Sequence, residues 1–162
     1  MATSRRVLTA CAVAVTVAAC GGSSTGGGAC GPIVREALDP AYLVHVVGDG
    51  AEVAYGSDPP TSGPHQPAPA RSGATQEPLT RPVQVGVLER GDILIQHLPD
   101  VGAETRDGLA ALADDHVVVA PNPDLPTAIV ATAWTAKRSC DDLDVGALRE
   151  FIGERVGKGP ED

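Results

Sequence analysis

Seven prolines fall between Ser57 and Pro82, and that density excludes a helix or a central strand from most of the stretch. Each proline removes a backbone donor and holds φ at about −65°, so the regular structure must form on either side of a long connection stiffened from within. Its densest part is PPTSGPH, Pro59 to His65. Here Pro59, Pro60 and Pro64 restrict the backbone, Gly63 admits a positive φ, and Thr61 and Ser62 can bond nearby main chain. Such a loop places His65 with little entropy left to lose on binding. The plainer reading is a stiff cover over the core, with His65 bonded to a carbonyl.

With one Phe, one Trp and two Tyr in 162 residues, the core must rest on Val, Leu, Ile and Ala. YLVHVV (42–47) and AEVAY (51–55) flank a GDG turn and predict a hairpin. Val83, Val85 and Val87 alternate with Gln84 and Gly86, which predicts a strand, a turn at ERGD and a second strand in DILIQHL. Ala103 to Asp114 reads as a short helix. HVVVAP and TAIVATAW are β-rich runs separated by PNPDLP. Asp144 can cap a last helix with Val145, Leu148, Phe151, Ile152 and Val156 on one stripe. The expected class is α+β, a mainly antiparallel sheet with two helices and the long proline-rich loop.

At the N-terminus, Arg5 and Arg6 precede an apolar run from Val7 to Ala19 that is too short to span a bilayer. It reads as a signal peptide over residues 1–19. VAAC, Val17 to Cys20, resembles a bacterial lipobox, which makes Cys20 the lipidated first residue of the mature chain; a plain A-x-A-like cleavage is the alternative. SRRVL (4–8) also resembles a twin-arginine signal, so the export route stays open. Residues 20–29 then form a Gly/Ser tether, 30–157 a single globular domain and 158–162 a tail. Removing Arg5 and Arg6 leaves ten basic against 21 acidic residues, a net charge of −11. That charge argues against nucleic acid as a partner and against electrostatic docking on anionic lipid, so membrane attachment falls to the lipid alone. The location implied is the extracytoplasmic face of the cell membrane.

Cys11 leaves with the signal and Cys20 carries lipid, so Cys30 and Cys140 remain in an oxidising compartment and are expected to pair. A redox pair or thiolate metal site would use shorter spacing.

Four histidines are candidates for chemistry: His45, His65, His97 and His116. His45 lies between Val44 and Val46 on a predicted strand and needs a partner, for which His65 or a metal would serve. His97 shares a strand face with Ile93 and Ile95. No HExxH, no G-x-S-x-G elbow and no phosphate-binding glycine loop occurs, so no catalytic set is read and any metal site must be assembled by the fold.

His45 and Tyr55, PPTSGPH, LExG at Leu88 to Gly91, TAW at Thr132 to Trp134, Cys140 and LxxFI at Leu148 to Ile152 together resemble the bacterial domain of unknown function 3105 family. The resemblance implies an exported or membrane-tethered protein. The family's central segment reads approximately V-H-x-L-E-H-G, whereas here Gly86 and Arg90 stand where two histidines would be. By that resemblance His97, where the family has Tyr, is a substitute ligand, and Arg90 brings a positive charge that would pair with Glu89 or bind an anion.

The expectation is a lipid-anchored envelope binding or accessory domain whose pocket comprises His65, His45, Glu89, Arg90 and Ser62, with an unidentified envelope ligand or protein partner. The alternative is a zinc- or copper-binding protein or metal-dependent enzyme using His65, His45 and His97, or Glu89 in place of His97.

Overall fold

The structure is a computed structural model and describes residues 28–47, 53–67 and 73–160. The signal peptide, Cys20, most of the tether, the GDG turn and the last two residues of the tail lie outside the described residues.

The elements in chain order are β1 (Val34–Arg35), β2 (Gly73–Ala74), α1 (Arg81–Glu89), β3 (Ile93–His97), α2 (Ala103–Ala110), β4 (Val117–Pro121), β5 (Ile129–Ala133), β6 (Ala136–Cys140) and α3 (Val145–Arg155). The strands form one sheet in the order β1-β6-β5-β3-β4-β2. β3 runs parallel to β4, and β4 to β2; the β3–β5, β5–β6 and β6–β1 pairs are antiparallel. The class is α+β, with a mixed sheet and three helices rather than two.

Alternation along the strands divides the core into two layers. Ile93, Ile95, Val117, Val119, Ile129 and Ala131 face Leu109 of α2 and Leu148 and Phe151 of α3. Leu94, Val118 and Ala120 pack with Val85, Val87 and Leu88 of α1 and with Trp134. The Asp144 side chain accepts a hydrogen bond from the Ala147 N–H, capping α3 as its sequence predicts. Cys30 and Cys140 form a disulfide across 110 residues of chain.

Two expectations are corrected. Residues 81–89 are a helix, not a strand, so ERGD joins a helix to β3 instead of closing a hairpin. A proline sits in the first turn of α1, where its missing N–H costs nothing, and after the helix ends at Glu89 the chain turns away through Gly91, whose φ is 78°. The period-two valines are accommodated because Val85, Val87 and Leu88 together cover the second face of the sheet. Likewise 42–47 and 53–55 form no ladder with each other among the described residues; His45 bridges to His65 instead.

Candidate functional site

The proline-rich loop is tied down at almost every residue between Ser57 and Gln66. The Lys137 ammonium donates to the Pro59 carbonyl at 2.8 Å, and the Thr135 N–H donates to the Thr61 carbonyl at 3.0 Å, which straps the loop to the β5–β6 turn. Ser57 and Thr61 hydroxyls donate to the Glu36 carboxylate at 2.6 and 2.7 Å, and Lys137 pairs with its other oxygen at 3.0 Å. Burial works against the charge on Glu36, but the bonds from Ser57, Thr61 and Lys137 outweigh it and hold the carboxyl below its ordinary value.

Beyond these anchors, the Ser62 hydroxyl accepts from the Asp39 N–H, Tyr55 donates its hydroxyl to the Pro64 carbonyl at 2.7 Å, and the Gln66 N–H donates to the Pro82 carbonyl at the start of α1. Burial pushes the Tyr55 phenol up to about 12. Gly63 has a φ of 124°, and a Cβ there would press on the Tyr55 ring at 3.1 Å, so only glycine fits this bend.

These restraints deliver His65 to a fixed point. Its N–H donates to the Val44 carbonyl at 3.0 Å and its carbonyl accepts from the Val46 N–H at 2.7 Å, forming an isolated parallel bridge with His45. The two rings meet edge to face, with centroids 4.7 Å apart and planes at 70°. His65 is fully buried, whereas His45 is exposed.

The third member arrives from α1. Glu89 is the last residue of that helix, and its carboxylate oxygen lies 2.8 Å from His65 Nε2. Candidate ligand atoms of His45, His65 and Glu89 all fall within 4.8 Å of one another. The turn after Glu89 is braced from a distant segment: the Gly157 N–H donates to the Gly91 carbonyl at 2.9 Å, and Gly159 lies so close that a Cβ would collide with the Glu89 carbonyl and the Gly91 amide.

The decisive detail is the His65 tautomer. Nδ1 lies 3.0 Å from the Gly63 carbonyl, which can only accept, so Nδ1 carries a proton. In the neutral ring Nε2 is then a bare lone pair, facing a carboxylate oxygen that is also an acceptor. The contact is short, yet it fails the angle of an N–H···O bond, and Nε2 is left buried without a hydrogen-bond partner. A cation at that point would relieve both acceptors at once.

Of the remaining sequence candidates, Arg90 directs Nε and Nη2 at Asp92, at 3.1 and 2.7 Å, while Glu89 turns to His65. Asp92 also accepts from His116 at 3.1 Å. That exposed imidazole is raised above its ordinary value by the hydrogen bond and charge of Asp92. His97, placed by β3, is not in the trio: its Nδ1 bonds the Leu98 carbonyl at 2.8 Å and its ring lines a separate cleft. The supporting roles of Tyr55, Glu36 and Lys137 had no local signal in the sequence, because each acts on a partner distant in the chain.

A family model described as "Protein of unknown function (DUF3105)" matches residues 45–162. The chain belongs to this family. No curated protein and no solved structure matches it. The DUF3105 match opens at His45 and takes in His65 and Glu89, so the whole trio lies within the family domain.

Proposed function

We propose that this DUF3105 protein is a lipid-anchored envelope domain that binds one divalent transition metal ion, zinc or copper, through His65, His45 and Glu89. The observation that supports the reading is His65 Nε2, a buried lone pair whose tautomer is fixed by the Gly63 carbonyl and which faces the Glu89 carboxylate at 2.8 Å. A backbone carbonyl on the far nitrogen is the usual outer partner of a metal-bound histidine, orienting the ring and raising its basicity. Two imidazoles and a carboxylate suit zinc or copper(II), and zinc bonds of about 2.0–2.2 Å would draw the three donors together by small side-chain rotations.

Three protein ligands leave a coordination position open. Exposed His45 sets the ion toward solvent, beside Leu43, Val44 and Val47, which are 73%, 51% and 95% exposed. That rim fits an accessory role in which a further ligand comes from outside the chain. The alternative, an anion held by Arg90, has less support because Asp92 already engages its guanidinium at two nitrogens.

Calorimetric titration of Zn(II) and Cu(II) into the detergent-solubilised chain, beside His65→Ala, tests the site. One tightly bound equivalent that disappears in the variant is expected; no stoichiometric binding, or binding equal in both, would sink the proposal. Membrane attachment is tested by Cys20→Ser, which should move the protein to the soluble fraction. A variant that still sediments with membranes would overturn the lipid anchor.

A further inference from the structure

A second cleft, of about 460 Å³, opens at the C-terminal ends of β3 and β4, away from the His45–His65–Glu89 trio. β3 and β4 are parallel with α2 between them in sequence, and the carboxyl ends of parallel strands are where open α/β sheets form ligand crevices. His97 and Pro121 are register partners at those ends, and His97 continues the face of Ile93 and Ile95 toward α2. Thr75, Arg106, Asp107 and Val119 contribute further lining.

His97 is only 7% exposed. Its Nδ1–H donates to the Leu98 carbonyl at 2.8 Å, which fixes the tautomer and leaves Nε2 an acceptor with no protein partner among the described residues. Because His97 lines the cleft, a donor on a ligand bound there can reach that nitrogen. On the rim, Arg106 gives one N–H to the Val101 carbonyl, which anchors the guanidinium at the start of α2, and its other side-chain donors have no partner among the described residues. Asp107 next to it is an exposed carboxylate without a side-chain partner among the described residues. The cleft thus offers two acceptors, one anchored cation and apolar walls from Val119 and Pro121.

We propose that this cleft binds a small zwitterion bearing an ammonium and a carboxylate, a free α-amino acid or a dipeptide. The ammonium is taken by His97 Nε2 and Asp107, the carboxylate by Arg106, and a short aliphatic side chain lies against Val119. This does not depend on metal binding at the trio.

The test is calorimetry on the full chain in detergent with alanine, dialanine and N-acetylalanine as probes. Alanine or dialanine should bind, and whichever is tighter tells the free acid from the peptide. N-acetylalanine, which keeps the carboxylate but lacks the ammonium, should bind at least tenfold more weakly. Asp107→Asn and Arg106→Gln, both on exposed side chains, should each weaken binding tenfold or more while the metal titration is unchanged. Silence from both zwitterions, equal binding of N-acetylalanine, or variants that bind like the parent would each overturn the assignment.

Discussion

Glu89→Gln distinguishes a carboxylate that waits for a metal from one that only neutralises an imidazolium, because the two roles give opposite signs in the metal-free protein. The substitution preserves volume and removes one charge. With His65 Nδ1–H committed to Gly63, the parent sets a lone pair against a carboxylate oxygen 2.8 Å away. The glutamine amide would instead donate to that lone pair. One buried hydrogen bond is worth about 1 kcal/mol net, which for a domain of this size raises the melting temperature by roughly 3–5 °C. Metal reverses the order. At free zinc about 100 times the dissociation constant, binding adds roughly 2.7 kcal/mol to the parent. If losing the carboxylate weakens affinity about tenfold, the low end for a residue supporting a metal site, the variant gains roughly half as much at the same zinc level. Thermal unfolding followed by circular dichroism at pH 8, with EDTA and then with buffered zinc, reads both effects. A variant that melts several degrees below the parent in EDTA, with an undiminished zinc shift, would refute the tautomer argument and leave Glu89 as a structural ion-pair partner.

Tyr55 is held protonated to about 12 by burial, above the free phenol value of 10.0, so its contribution to stability is complete below pH 10 and fades as pH rises toward 12. Tyr55→Phe should flatten that alkaline loss and, by removing the bond to Pro64, lower stability near neutrality by about 1 kcal/mol; an unchanged alkaline profile would contradict this. Glu36, lowered from 4.5, adds stability that is complete above about pH 4.5 and is lost as pH falls through its folded value, so Glu36→Gln should selectively erase an acid transition in pH-dependent melting. Cys140→Ser should cost about 4–5 kcal/mol in urea unfolding, the chain-entropy value for a loop of this length; a loss under 1 kcal/mol would show that the bridge restrains little.

The last helix, the β-rich runs and the Cys30–Cys140 pair were legible because each is signalled locally: an Asp144 cap with an apolar stripe, unbroken Val and Ile, two leftover cysteines. α1 was misread because Val83, Val85 and Val87 keep a strand's period, and the contrary signals, Pro82 and Gly91, are single residues at its ends. That error mattered for the site, since a strand would alternate its faces while the helix ends by delivering Glu89 to His65. His65 was named from its rigid PPTSGPH loop and His45 from its apolar strand neighbours and the family resemblance. Their adjacency rests on two backbone bonds over a separation of 20 residues, which no periodicity encodes. His97 was placed in the ligand set by the family resemblance, and its strand position showed which face its side chain takes but not which end of the sheet it reaches.

The brace of Gly157 and Gly159 on the turn after Glu89 bears on when the trio can exist during the life of the molecule. The turn is clamped by residues synthesised long after it, and His65 is set by a loop that hangs on Lys137 and Thr135, also made later. A nascent or translocating chain therefore has the three donors but no preset arrangement of them, and its affinity for any ion is that of scattered side chains. On the proposed metal reading, loading becomes a report on completed folding. If the trio binds metal as proposed, a chain exported unfolded would cross empty and acquire its ion only after folding, whereas a twin-arginine route would carry the arranged trio across.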